Sequence, residues 1–306
     1  MLPHRPVLYQ EIIHALRPSS PGIYVDGTVG AGGHAAAILE ASSPDGKLLG
    51  FDVDPSAISI SKNRLAEYGE RVTLVRASYT TLINQLNEIG WGLVEGIVLD
   101  LGASSMQFDR KERGFSFQSD APLDMRFDPS STTTAELLIN SLSQTELADM
   151  IFRNSDEKYA RRIATAIIEA RPLSSTKQLV EVITSVVKRR PHGIHPATRT
   201  FQAIRIAVNQ ELESIELVLP QLTAALKPGG RIAVISFHSL EDRLVKRYMR
   251  EKSKSITRQP DDLPEVEDRK AELKLINRRP IQASETEIVE NPRARSARLR
   301  VAEKLA

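Results

Sequence analysis

A glycine-rich turn early in the chain has residue types and a spacing that could bind a ligand. It runs from Asp26 to His34 and carries Gly30, Gly32 and Gly33, between a short apolar run and a segment of helical character. Glycines let a backbone approach a ligand where a Cβ would collide, and the first turn of a helix offers unpaired N–H groups. The turn therefore predicts a nucleotide-type ligand, with a purely structural tight turn as the alternative.

An acidic residue before the glycines narrows the choice of ligand. A dinucleotide-binding turn has the pattern Gly-x-Gly-x-x-Gly and holds a pyrophosphate, whereas here Gly30-x-Gly32-Gly33 follows Asp26. A carboxylate at this position would repel a phosphate. It could bind the ammonium group of an amino-acid moiety, or hold the loop in shape. S-adenosylmethionine (SAM) carries such an ammonium and no phosphate, so the turn favours SAM over a nicotinamide dinucleotide.

Two more aspartates are predicted at the same edge of a sheet. Asp52 ends the second predicted strand, about 20 residues beyond the glycines, where a carboxylate commonly bonds ribose hydroxyls. Asp54 competes for that role but is better suited as the N-cap of a helix that begins at Pro55. Asp100 ends the fourth predicted strand. Ligands of open α/β sheets bind at the carboxyl ends of strands, so we expect one crevice here, although each aspartate alone could be a cap or turn residue.

The elements that must position these residues alternate between strand and helix. Apolar runs at 23–26, 48–53, 72–75, 97–101 and 231–237 predict strands, and helical patterns at 34–41, 55–65 and 82–89 lie between the first four. Such alternation with short turns predicts parallel strands covered on both faces, an α/β, doubly wound, Rossmann-like sheet. A helix is expected from Leu240 to about Glu251, and 273–276 with 297–301 are predicted to close the sheet as a pair.

The alternation stops at Gly102, and helical patterns follow. They extend from Thr133 to about Lys188, and one long helix is predicted from near Pro196 towards Leu219. We interpret 105–205 as a helical insertion in a sheet domain formed by 1–104 and 206–306. One continuous domain with long surface helices is the alternative.

Composition excludes several classes of protein. Cysteine is absent, which rules out disulfides and thiolate metal sites and agrees with a reducing cytoplasm. No stretch approaches the roughly 18–20 apolar residues of a membrane span, and residues 1–16 lack the apolar run of a signal peptide. The net charge is only +2, so a nucleic-acid partner would require local clustering of positive charge.

Basic residues do cluster in three places along the chain. They are Lys188, Arg189, Arg190, Arg199 and Arg205 in the insertion, Arg243, Lys246, Arg247 and Arg250 at helical spacing, and Arg293, Arg295, Arg298 and Arg300 in the tail. Each cluster could simply be a solvated face. Three of them in a nearly neutral chain favour a polyanionic partner.

Ordered motifs along almost the whole chain resemble the RsmH family, also called MraW. They include Asp26-Gly27-Thr28-x-Gly30-x-Gly32-Gly33-His34, Asp100-Leu101-Gly102-x-Ser104-Ser105, His195-Pro196-Ala197-Thr198-Arg199-Thr200-Phe201-Gln202 and Ser236-Phe237-His238-Ser239-Leu240-Glu241-Asp242-Arg243. Met106 and Ala121 depart from the family pattern, which has proline and glycine there. The resemblance implies a SAM-dependent methyltransferase with a helical insertion. It also implies a substrate, the exocyclic N4 of a cytidine in the decoding region of small-subunit (16S) ribosomal RNA.

The resemblance also implies particular site residues. The SAM contacts that carry over are Gly32, Gly33, His34, Asp52, Tyr79, Asp100 and Gln107. Ser104, on the polar loop after the fourth strand, and His238, after the fifth, are candidates to face the target amine; His238 could instead be a helix-start residue. No metal is expected, because the sulfonium already carries its leaving group and alignment is the main requirement.

The implied partner is ribosomal RNA or a ribosomal particle, bound in part by the insertion, in the cytoplasm and without a membrane. A monomer and a homodimer stay open. Three other functions stay open at this point: methylation of a protein or small molecule, methylation of a DNA amine, and a non-catalytic RNA-binding scaffold. The DNA enzymes typically have Pro-Pro-aromatic after the fourth strand, where this chain has Leu101-Gly102-Ala103.

Overall fold

A computed structural model describes residues 6–188, 194–256 and 268–306. The chain divides into two compact units. The first, called here the sheet unit, comprises Met1–Gly102 and Glu213–Ala306, and the second, the helical unit, comprises Ala103–Leu212.

The sheet unit contains seven strands within the described residues. They are β1 (Ile23–Asp26), β2 (Lys47–Asp52), β3 (Val72–Arg76), β4 (Val94–Asp100), β5 (Leu226–Ser236), β6 (Leu273–Leu275) and β7 (Arg298–Lys304). Their order is β3-β2-β1-β4-β5-β7-β6. The first five are parallel, and β7 is antiparallel to both β5 and β6. The predicted doubly wound α/β sheet is confirmed, as is the closing pair of strands. The strand order reverses between β1 and β4, which is where such sheets bind ligands.

Helices connect and cover these strands. The described α-helices are α1 (Tyr9–Leu16), α2 (Gly33–Ala41), α3 (Pro55–Arg64), α4 (Leu82–Glu88), α5 (Ser105–Asp109), α6 (Ala135–Ser141), α7 (Gln144–Ser155), α8 (Ala160–Ala170), α9 (Thr176–Val186), α10 (Ala197–Asn209), α11 (Glu211–Ala225), α12 (Ser239–Lys252) and α13 (Glu285–Glu290). Asp54 caps α3 by accepting the Ser56 N–H at 2.9 Å, and Pro55 occupies its first turn. The sequence-based assignment of Asp54 as a cap is therefore confirmed.

Each unit has its own hydrophobic core. In the sheet unit, buried side chains include Tyr24, Ile38, Leu48, Val98, Ile235, Leu299 and Val301. In the helical unit they include Ile139, Leu147, Ile151, Ile163, Leu179, Phe201 and Ile204. Fully burying one such side chain contributes about 1.5–3 kcal/mol. A separate core is what allows a segment to form its own compact unit.

Two sequence-based predictions of element boundaries are wrong. The long helix expected from Pro196 towards Leu219 is two helices, α10 and α11, because Gln210 adopts a left-handed conformation with φ of 49° and ends α10. Strand β5 begins at Leu226, five residues before the predicted start at Arg231. Its pairing with β4 is irregular across the Pro-Gly-Gly segment, since Leu226 pairs with Val94 and the next pair is Arg231 with Gly96. Among the described residues, no helix combines the length and apolar character needed to cross a membrane.

Candidate cofactor site

The glycine turn is held between the ends of two strands. The Gly27 N–H donates to Val98 O at 2.9 Å, and the Val29 N–H donates to Phe51 O at 2.8 Å, so the turn bonds to both β4 and β2. A Cβ at Gly27 would collide with the Leu99 side chain. Two later glycines of the turn have positive φ, 51° at position 30 and 77° at position 32, a conformation that costs other L-residues about 1–2 kcal/mol.

Asp26 is a buried carboxylate at the end of β1. Its Oδ1 accepts the Thr28 N–H at 3.1 Å, whereas its Oδ2 is buried and has no hydrogen-bond partner within the described residues. Burial raises the pKa of Asp26 to about 6, against the opposing effect of a charge on His34. A buried oxygen without a partner is costly. The site would therefore gain from a ligand that presents a hydrogen-bond donor or a positive charge.

His34 and Asp100 face each other beside Asp26. His34 Nε2 lies 3.8 Å from Asp100 Oδ2, too far for a hydrogen bond. Both ring nitrogens of His34 and Asp100 Oδ1 are buried, again without hydrogen-bond partners in the described part of the chain. The backbone around them is well bonded, since the Asp100 N–H donates to Thr28 Oγ1 at 2.6 Å. The unpaired atoms thus lie beside a hydrogen-bonded backbone, at the carboxyl ends of β1 and β4 and the start of α2.

Asp52 ends β2 and bonds to the same turn. Its Oδ2 accepts the Gly30 N–H at 3.0 Å, and its Oδ1 accepts the Asp54 N–H at 2.9 Å. Burial raises the pKa of Asp52 to about 6 and outweighs these two backbone bonds, which act to lower it. Each carboxylate oxygen has a second lone pair, so the side chain could still accept bonds from a hydroxyl pair.

The other predicted cofactor residues of the sheet unit lie around the turn. Gly32 is the N-cap of α2, and a Cβ at Gly33 would lie 2.9 Å from Pro6 Cγ. Tyr79 begins a short 3₁₀ helix after β3, and its Cβ lies 3.2 Å from where a Cβ on Gly27 would be. The sheet unit therefore assembles all the predicted contacts except Gln107. Their contact with a cofactor stays a prediction.

Gln107 and Ser104 belong to the helical unit, where they cap α5 reciprocally. The Ser104 N–H donates to Gln107 Oε1 at 2.9 Å, and the Gln107 N–H donates to Ser104 Oγ at 3.3 Å. This capping box stabilises a five-residue helix. It leaves the Ser104 hydroxyl proton and one lone pair for another partner, and buries most of Gln107.

His238 is the N-cap of α12, in line with the helix-start alternative. Its Nδ1 accepts the Glu241 N–H at 3.5 Å, and its Nε2 lies 3.0 Å from Glu241 Oε1. Glu241 Oε2 in turn accepts the Phe237 N–H at 2.7 Å. The imidazole is therefore engaged in closing the turn after β5. Sequence reasoning did not single out Glu241, although a glutamate three residues after an N-cap is a recognisable capping signal.

The prediction that Arg205 and Arg300 bind phosphate is wrong. Arg205 donates to both carboxylate oxygens of Glu211, at 2.8 and 2.9 Å, and is only 14% exposed. Arg300 is buried and donates to Asp242 at 2.6 and 3.1 Å. Both charges are neutralised inside the protein. Lys188 is exposed, whereas its predicted companions at 189 and 190 lie outside the described residues.

Thr28 is a residue of this site that sequence reasoning missed. Its hydroxyl oxygen accepts a hydrogen bond from the Asp100 N–H, so this residue connects the glycine turn to the end of β4. A hydroxyl residue inside a glycine turn is the signal that could have pointed to it.

A family model and two similar sequences match almost the whole chain. Residues 1–305 match the family model described as the MraW methylase family. A protein of Geotalea uraniireducens named ribosomal RNA small subunit methyltransferase H is 51% identical over 308 residues, covering 99% of this chain and 98% of the relative. A protein of the same name from Dehalococcoides mccartyi is 50% identical over 304 residues, covering 99% and 87%. Among solved structures, an rRNA methylase of Streptococcus thermophilus is 13% identical with a TM-score of 0.42 and full coverage of both chains.

Proposed function

The chain belongs to the MraW methylase family, and on that premise we propose that it methylates the exocyclic N4 of a cytidine in the decoding region of small-subunit ribosomal RNA. Its methyl donor is SAM. Relatives of about 50% identity named as small-subunit ribosomal RNA methyltransferases support the class of substrate. The cytidine and its N4 come from the family resemblance of the motifs.

The observation that carries the proposal is the group of unpaired buried atoms beside the glycine turn. Four buried atoms here lack hydrogen-bond partners within the described residues: Asp26 Oδ2, the two ring nitrogens of His34 and Asp100 Oδ1. An amino-acid moiety has an ammonium to offer the carboxylates and a carboxylate to offer the imidazole. The donor set therefore fits SAM, with Asp26 or Asp100 at the ammonium and Asp52 at the ribose hydroxyls.

Bound SAM supplies an electrophilic methyl group on a sulfonium, which needs no further activation. The protein has to hold the target amine in line with that methyl group and exclude other geometries. The amine of cytosine is a poor nucleophile because its lone pair is delocalised into the ring. The Asp100 carboxylate, at the end of β4, would accept an N–H bond from this amine and favour a more tetrahedral nitrogen. The Ser104 hydroxyl is a second candidate acceptor, and His238 a weaker one because its ring is engaged with Glu241.

We propose that residues 105–205 recognise the RNA and that the sheet unit binds the cofactor. A base inside a duplex must be flipped out before such a reaction, whereas a base in a single-stranded loop is cheaper to present. Free ribosomal RNA and a ribosomal particle are both candidate substrates, and the proposed location is the cytoplasm. The oligomeric state is left as monomer or homodimer.

The direct test is a methyl-transfer assay with purified protein, isotopically labelled SAM and small ribosomal subunits from cells that lack this enzyme. Mass spectrometry of the digested nucleosides should find the label on N4-methylcytidine. Label on a ring carbon, a ribose oxygen or a protein side chain would overturn the proposal. DNA and free nucleosides serve as control substrates and should stay unlabelled.

A further inference from the structure

We propose that a basic pocket of the sheet unit, distinct from the cofactor site, binds the phosphate backbone of the RNA substrate. The pocket lies between α12 and the segment around β6 and has a volume of about 360 Å³. Its walls carry Lys246, Arg250, Lys254 and Arg278, and its floor includes Met249 and Leu275. The inference rests on the proposed function, since it names the surface that would hold that RNA.

Four of the five cations that line this pocket are available to a ligand, and the fifth, Arg300, is paired with Asp242. Lys246 and Arg250 lie one turn apart on α12, Lys254 follows the end of that helix, and Arg278 follows β6. All four side chains are exposed. Across the described parts of the chain, none of them forms a side-chain hydrogen bond or an ion pair, and no carboxylate lines the pocket.

Carboxylates close to the pocket are already neutralised. Asp242 is bonded twice by Arg300, at 2.6 and 3.1 Å, and Glu272 accepts from Lys252 at 2.6 Å. The pocket therefore keeps the positive charge of its four unpaired cations. Charges that repeat along one surface match a polyanion better than a single small anion, because each phosphate neutralised releases counterions.

A neighbouring cation on α12 provides a contrast. Arg247 is also exposed, but it donates to Glu216 at 3.0 Å and lies outside the basic pocket. Two cations on the same helix, at 246 and 250, thus face the pocket while a third is paired elsewhere. An acidic protein segment would meet the same charges. RNA is favoured because the curated relatives are named for an RNA substrate.

The pocket also lies apart from the reacting groups within the sheet unit. Strands β5 and β7 separate β6 from β4, which carries Asp100. A contact at this distance holds the substrate equally before and during methyl transfer. Its loss should therefore raise KM for RNA and leave kcat unchanged.

The test compares the double variant Lys246→Ala/Arg250→Ala with the matched single variant Arg247→Ala. RNA from the decoding region of the small subunit serves as the probe, with binding measured over a series of salt concentrations. The double variant should bind at least tenfold more weakly at about 0.1 M salt and lower the slope of log K against log salt by about 1.4, as expected for two lost single-strand phosphate contacts. The Arg247→Ala variant should stay within about twofold of the wild type. SAM affinity should not change in either.

A double variant with the wild-type salt slope would contradict the proposal that this pocket binds RNA. A loss of affinity confined to an acidic peptide such as polyglutamate would contradict it as well. In both cases methylation of RNA by the wild type would still support the proposed function. Conversely, wild-type protein that binds RNA through these cations but methylates no cytidine would keep the pocket and overturn the proposed function.

Discussion

Asp52 holds the glycine turn through Gly30, whose N–H donates to Asp52 Oδ2 at 3.0 Å. The second oxygen of the same carboxylate accepts the Asp54 N–H at 2.9 Å. One side chain therefore connects the turn after β1 with the beginning of α3. A ligand that bonds Asp52 meets a loop whose shape the same carboxylate maintains, so binding and loop order are linked at this residue.

Replacing Asp52 with alanine should weaken SAM binding by about 1.5–3 kcal/mol, roughly ten- to hundredfold, because charge-assisted bonds are lost and the turn loosens. Isothermal titration calorimetry measures the effect. Asp54→Ala is the matched control, since it removes the cap of α3; it should cost about 1 kcal/mol of stability and leave SAM affinity nearly unchanged. Equal SAM affinity in Asp52→Ala and wild type would contradict the assignment.

The Asp26→Asn variant should be more stable than the wild type at pH 7 in the absence of ligand. Burial raises the pKa of Asp26 from 3.8 to about 6. The folded protein then binds more protons than the unfolded chain between those values, so stability falls as pH rises through that window. At pH 7 the full free-energy cost of ionising the buried carboxylate is present, up to about 3 kcal/mol. Thermal unfolding from pH 4 to 8 should show the two proteins converging at the acidic end.

SAM affinity should fall as the pH is lowered below about 6, because a protonated Asp26 no longer attracts an ammonium group. The steepest expected dependence for one group is tenfold per pH unit. In Asp26→Asn the affinity should be lower at pH 7.5 and its pH dependence shallower, with Asp52 still titrating near 6. A wild-type affinity that is flat from pH 5 to 8 would argue against an ionic contact to Asp26.

Asp100→Ala should fold normally and transfer methyl groups on the order of a hundredfold more slowly, as a misplacement of about 1 Å can cause. Its carboxylate accepts no hydrogen bond from the residues that the structure describes and lies 3.8 Å from His34 Nε2, so little structure depends on it. The melting temperature and the single-turnover rate separate the two effects. A large loss of melting temperature would assign Asp100 a structural role instead.

Arg205→Ala should destabilise the protein by about 3 kcal/mol or more, because the buried Glu211 carboxylate would lose the guanidinium that neutralises it. The salt dependence of RNA binding should be the same as in the wild type, since the guanidinium is neutralised internally. Chemical denaturation and the salt series test these two expectations independently. A reduced salt slope in a variant that remains folded would restore Arg205 as a phosphate contact.

Local sequence was sufficient to place the carboxyl ends of three strands to within one residue. Asp26, Asp52 and Asp100 end β1, β2 and β4, because apolar runs followed by turn residues mark strand ends. The break at Gln210 had no such marker: neither glycine nor proline is present, and apolar residues continue on both sides.

Contacts that depend on tertiary packing were beyond the reach of the pattern. The unpaired Oδ2 of Asp26 reflects how tightly neighbouring elements bury it. The pairing of Arg205 with Glu211 requires the bend at Gln210 that the sequence did not predict. Both features depend on which groups surround a charged side chain in the folded protein. Residue types and spacing alone do not determine those surroundings.

The position of β7 has a consequence for the order in which the sheet can be completed during synthesis. Strand β7 is the last of the seven described strands in the chain, yet it lies between β5 and β6. A ribosome that releases about 5–20 residues per second makes β6 available before β7, its neighbour among the described strands, exists. Until 298–304 emerge, β5 presents an open edge of backbone N–H and C=O groups, the kind of surface on which nascent chains aggregate.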